Sequence, residues 1–136
     1  ILHLADATAL RLQAAGIKKV GLLGTRFTME QDFYKNRLVE QFGIDVIVPN
    51  DEDRTVIHDV IYKELCLGQI NPDSKTNYLA IVNRLHQQGA EAVIMGCTEI
   101  TLLINQKDTS VPLYDTTAIH AEEAVKLACN KRPVKN

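Results

Sequence analysis

The sequence predicts one α/β domain built on a parallel sheet that helices cover on both faces. Three observations carry that expectation. Short β-rich runs alternate with longer amphipathic segments along the chain, which implies crossover connections between parallel strands. The strand runs are four or five residues long and show no apolar–polar alternation, as in sheets buried on both sides. A length of 136 residues, 46% of them hydrophobic and 24% charged, suits a single core of ordinary size.

The elements follow in order. Residues 6–15 read as a helix ended by Gly16, and residues 19–23 as a buried strand. Thr28-Met29-Glu30-Gln31 fits a capping box opening a helix. Tyr34, Leu38 and Phe42 recur along that helix at steps of four, and Gly43 ends it. Residues 44–48 form the next strand, stopped by Pro49, and Asn50 or Asp51 caps a helix. Val56, Ile57, Val60, Ile61 and Leu65 make its apolar stripe, and Gly68 stops it. Asn71-Pro72 restarts a helix, with Asn as N-cap and Pro at the first helical position. Residues 92–95 and 111–114 are the last two strands, and residues 116–128 the last helix. The basic tail, 130–136, is expected to be disordered.

Charge and cysteine usage narrow the function. A net charge of −2 argues against nucleic-acid binding through bulk positive charge. No apolar run reaches the roughly 18 residues of a membrane span. Cys66, Cys97 and Cys129 are odd in number and widely spaced, so they suggest neither a disulfide framework nor a metal site. A reducing cytoplasm is the expected compartment. Each cysteine alone reads most simply as a small buried hydrophobe, and Cys66 and Cys129 are read as structural.

In parallel α/β sheets, ligands bind beyond the C-terminal strand ends. Gly24-Thr25-Arg26-Phe27-Thr28 follows the first strand and Gly96-Cys97-Thr98-Glu99 the third. Each joins a glycine, which permits close approach, to hydroxyls at an expected helix start, which favour a small anion. Ordinary strand-to-helix turns explain each alone, but two on one sheet edge favour a ligand. Cys97 at a helix start is expected to have a lowered thiol pKa and to act as nucleophile or base. Glu99 is placed to relay its proton or to complement the helix dipole. His120 is a weaker candidate for orienting a carboxylate.

These residues resemble a known family. Gly96-Cys97-Thr98-Glu99-Ile100 is similar to the second-half signature of the aspartate/glutamate racemase superfamily. Gly24-Thr25-Arg26-Phe27-Thr28-Met29, Glu64-Leu65-Cys66-Leu67-Gly68-Gln69 and Asp115-Thr116-Thr117-Ala118-Ile119-His120-Ala121 resemble further segments of its aspartate racemase branch. The resemblance implies a flavodoxin-like three-layer fold and a racemase that works without a cofactor. Two cysteines would flank the substrate α-carbon, one removing a proton and the other delivering one. It makes Cys97 and Glu99 the catalytic candidates, with Gly24, Thr25, Thr28 and Thr98 binding substrate and His120 behind them. Glu99 stands where glutamate racemases carry a histidine, which favours the aspartate type.

Such enzymes have two similar halves, and nothing here resembles the first half's Cys-Asn-Thr segment. The opening Ile1-Leu2-His3-Leu4, without Met and inside an apolar run, reads as a cut edge. Residues 1–114 are therefore expected to form the C-terminal half. The final helix, 115–129, is expected to pack on the absent first half, and to be displaced, loosely docked or shared here. The expected partners are that half, an amino-acid substrate and a second copy in a homodimer. Maleate isomerases and hydantoin racemases are the same-fold alternatives. A non-catalytic module binding a small anion or a protein is the alternative of another class.

Overall fold

The computed structural model describes residues 4–130, with the side chains of Leu4 and Asn130 left aside. The expected α/β architecture is present. Helix α1 (Leu4–Ala14) leads to β1 (Lys19–Leu23), then α2 (Arg26–Glu30), α3 (Asp32–Phe42) and β2 (Asp45–Ile47). Helix α4 (Asp51–Lys63), a 3-10 turn (Leu65–Leu67) and α5 (Pro72–Gln87) lead to β3 (Ala92–Met95). Two more 3-10 turns, Thr98–Leu102 and Gln106–Asp108, precede β4 (Leu113–Asp115) and α6 (Thr116–Asn130).

All strand pairs are parallel, in the order β2-β1-β3-β4. The alternating side chains of the central strands build two cores. Val20, Leu22, Ala92 and Ile94 meet Ala5 and Leu12 of α1 and Tyr34 and Leu38 of α3. Leu23, Val93 and Met95 face the other way, onto Ile57 and Ile61 of α4 and Tyr78, Ile81 and Leu85 of α5. Each fully buried Leu or Ile side chain contributes about 1.5–3 kcal/mol of transfer free energy. Helix α5 lies so close that a Cβ on Gly21 would stand 2.8 Å from Leu85 Cδ1.

Local chemistry sets most element ends. Asn50 Oδ1 accepts the Asp53 amide at 2.9 Å and caps α4 above a first turn of Asp51, Glu52 and Asp53. Asn71 Oδ1 accepts the Asp73 amide at 2.9 Å, and Pro72 opens α5. Gly43 ends α3 in the left-handed region, at φ 67°. Bidentate ion pairs join helices on each face: Arg37 with Asp6 between α3 and α1, and Arg84 with Asp53 between α5 and α4.

Two expectations need correction. The box at Thr28 is absent: Thr25 is the N-cap, and the expected single helix is two, broken at the extended Gln31. Thr25 comes first after the strand and Gly24, so its hydroxyl reaches the Thr28 amide and leaves Thr28 inside the first turn. Nor do Cys66 and Cys129 pack as buried hydrophobes, since both are exposed. Helix α6 meets this chain's α1 and β4. Arg11 bonds Glu122 at 2.6 Å and Glu123 at 3.0 Å, while Ala121, Ala124, Val125 and Ala128 stay exposed. Of the tail expected to be disordered, 130–136, Asn130 ends α6 instead, and residues 131–136 lie outside the described residues.

Candidate functional site

Strand order reverses at β1 and β3, whose adjacent C-terminal ends pair Leu23 with Met95. That junction is where an open α/β sheet offers a crevice. Gly24 and Gly96 follow the two strands, and the Gly96 amide donates to Leu23 O at 2.7 Å. A Cβ on Gly96 would stand 3.0 Å from Leu23 O and 3.3 Å from Thr28 Cγ2. One on Gly24 would stand 3.0 Å from Thr28 Cβ. The two glycines thus let the first turn of α2 close directly over the strand ends.

Hydroxyls gather there in two pairs. Thr25 and Thr28 place their oxygens 3.2 Å apart, and Thr25 Oγ1 accepts the Thr28 amide at 3.3 Å. Thr98 and Thr117 also stand 3.2 Å apart, joining the β3 turn to the start of α6. Asp115 Oδ1 accepts the Thr117 and Ala118 amides at 3.0 and 3.2 Å. The buried Thr116 hydroxyl donates to Met95 O at 3.3 Å. Thr117 lies outside the expected substrate-binding set. Its signal was the position just after a strand, the same rule that picks out Thr25 and Thr98.

Cys97 is half-buried and its thiol donates to Glu99 Oε2 at 2.9 Å. Burial against the α4–α5 core, and then the hydrogen bond to Glu99, push the thiol up to about 11. The same bond, with Glu99's own amide, holds that carboxyl below its ordinary range. The two shifts agree that the proton sits on sulfur. The expectation of a lowered thiol pKa is therefore corrected. Cys97 is extended and leads into a 3-10 turn, not an α-helix, so no helix dipole offsets its burial or the adjacent carboxylate.

The structure brings Gly24, Thr25 and Thr28 against Gly96, pairs Cys97 with Glu99, and links Thr98 to Thr117. His120 stands apart. It is half-buried on α6 with Nδ1 buried and unpaired, and no hydrogen bond joins it to those residues. An apolar hollow opens beside Gly96 and Thr28, between the exposed Phe27 and Phe33 and the buried Tyr34. Among the described residues, no group of three or more His, Cys, Asp or Glu side chains is placed to hold a metal. No helix among them is long and apolar enough to cross a membrane.

Comparison with known proteins follows the same lines. A protein of Yersinia pestis assigned to the Asp/Glu racemases has a solved structure that matches with a TM-score of 0.91 and 54% identity. An aspartate racemase homologue from Pyrococcus horikoshii matches at 0.87 and 37%. Each match covers 94% of this chain and 56% of the other, so this chain spans little more than half their length. The aspartate racemase of Picrophilus torridus, at 23% identity and a TM-score of 0.67, shares the fold over 98% of this chain and 54% of its own. A Pectobacterium carotovorum protein from the pnlA 3′ region is 29% identical over 126 residues, which is 93% of this chain and 81% of that one. The Asp/Glu/hydantoin racemase family model matches residues 1–124, and the chain belongs to that family.

Proposed function

We propose that this chain is one lobe of a cofactor-independent amino-acid racemase, of the aspartate type, in which Cys97 is one of two acid/base groups. The observation that carries the reading is the Cys97 thiol bonded to Glu99 at the junction of β1 and β3, beside two pairs of threonine hydroxyls. On this reading aspartate or glutamate lies over that junction. Gly24, Thr25, Thr28 and Thr98 bind its carboxylates, and Glu99 governs the thiol.

The chemistry follows from where the proton rests. A thiol at about 11 is ionised in about one molecule in ten thousand at pH 7. Cys97 at rest is therefore the acid. It gives its proton to the α-carbanion on the face it meets, and the S–H electron pair stays on sulfur as thiolate. In the reverse of that step the thiolate removes the α-proton and becomes the thiol again, leaving the C–H pair on a carbon conjugated to the substrate carboxylate. Starting from the resting thiol, the thiolate forms only when the thiol proton first passes to Glu99, which returns it afterwards through solvent. Fixed donors around that carboxylate lower the barrier by stabilising the charge that develops there.

Racemisation needs a second group on the opposite face. We place it in a further lobe supplied by a longer protein or a partner, working in the reducing cytoplasm. The Phe27–Phe33 edge and the uncovered face of α6 suit contact with such a lobe or with a second copy.

Exchange of the α-proton in D₂O, followed for both enantiomers of aspartate and glutamate, tests this reading. The 136-residue chain is expected to exchange at most one enantiomer, slowly, and Cys97→Ser to abolish it. Exchange that survives in Cys97→Ser, or full two-way racemisation by this chain alone, would overturn it. Turnover of hydantoins or maleate instead would move the protein to the alternatives of the same fold.

A further inference from the structure

The first turn of α2 carries Thr25 and Thr28, yet the group that fixes it belongs to another element. The Arg26 amide opens α2, where an N–H has no partner within its own helix. It donates instead to Nδ1 of His58 on α4, 32 residues away in sequence, at 2.9 Å. The Arg26 side chain follows the same course, donating to Thr55 Oγ1 on α4 at 2.5 Å and to Glu30 Oε2 at 2.7 Å. Thr55, His58 and Tyr62 recur at steps of three and four, on one face of α4. The Tyr62 ring lies 4.7 Å from the imidazole, centre to centre, and restricts it. An imidazole nitrogen that accepts an amide proton carries none itself, so the His58 ring proton is on Nε2.

We infer that His58 is a positioning residue: its Nδ1 fixes the Gly24–Thr28 turn and so sets where the Thr25 and Thr28 hydroxyls meet the substrate. This rests on the proposed function for the substrate, while the hold on the turn stands on geometry alone. His58 touches neither Cys97 nor Glu99 by any hydrogen bond in the described residues. Its effect is therefore on binding rather than on proton transfer.

Two substitutions test it. His58→Leu keeps bulk and removes the acceptor, whereas His58→Asn offers an amide oxygen near the place of Nδ1. Amide hydrogen exchange at Arg26, read by NMR against α5 amides as a folding control, is expected to speed up by about fivefold or more in His58→Leu, the size of one ordinary hydrogen bond. His58→Asn is expected to restore it. The affinity for L-aspartate, titrated in the same samples, is expected to fall by a similar factor in His58→Leu and to recover in His58→Asn. Equal Arg26 exchange in all three proteins would overturn the assignment, and so would lost protection with unchanged aspartate affinity. Absence of aspartate binding in the unsubstituted chain would instead strike the functional reading, because the Arg26 amide reports on His58 without substrate.

Discussion

The Cys97 thiol and the Glu99 carboxylate share one proton across 2.9 Å, with sulfur as the donor. The arrangement is local, because the two residues are separated only by Thr98. It is also costly to ionise, because a thiolate formed there would face a carboxylate across a half-buried site. The same pair supplies a held proton and a place to send it, which the proposed chemistry needs.

Alkaline stability should report the pair. Cys97 has a folded-state value of about 11 against 9.0 for an ordinary thiol, so the folded chain binds more protons between those values. Its contribution is complete below about pH 9 and is lost as the pH rises through about 11. Thermal unfolding from pH 8 to 11 is expected to show a falling Tm, with a shallower fall in Cys97→Ala. Tyr34, pushed up to about 12 chiefly by burial, adds a further loss above pH 10 in both proteins. Identical slopes in the two proteins would remove Cys97 as the cause.

Gly96→Ala tests the packing of the strand ends. Its new Cβ would stand 3.0 Å from the Leu23 carbonyl oxygen, a backbone atom held by the sheet. A loss of about 1–3 kcal/mol is expected, as for overpacking elsewhere, measurable by urea unfolding. Gly16→Ala in the same assay separates crowding from backbone strain. Gly16 has φ 73° but open space around it, so its loss would come from conformation alone.

Tyr78→Phe tests the core beneath the site. Tyr78 is fully buried, and its hydroxyl donates to Ile57 O at 2.6 Å, tying α5 to α4. Removing that hydroxyl is expected to cost about 1–2 kcal/mol and to lower Tm without changing the fold. A circular-dichroism melt matching that of the unsubstituted chain would show that the bond contributes nothing.

Much of this was legible in the sequence because its causes are local. Asn50, Asn71-Pro72 and Gly43 act on amides and carbonyls within a few residues, so their spacing states their role. Strand runs such as Ala92–Met95 are apolar on both faces because both faces are covered. The misreadings arose where the deciding contact is distant or the local geometry is a near miss. Thr28 and Thr25 both sit ahead of a helical stretch, and only the strand end at Leu23, two residues before Thr25 and five before Thr28, decides between them. The lowered pKa expected of Cys97 rests on a helix start just after the third strand, but a 3-10 turn follows there and the nearest charge is negative. His58 gave no signal, since its partner lies 32 residues earlier.

The most direct test of the central claim is the pH profile of Cys97 alkylation by iodoacetamide. It is measured in a Cys66→Ser, Cys129→Ser background so that only one thiol reports, with and without Glu99→Gln. We predict a midpoint near 11 and a clear fall when Glu99 loses its charge. A midpoint at or below the ordinary thiol value, unmoved by Glu99→Gln, would contradict the account.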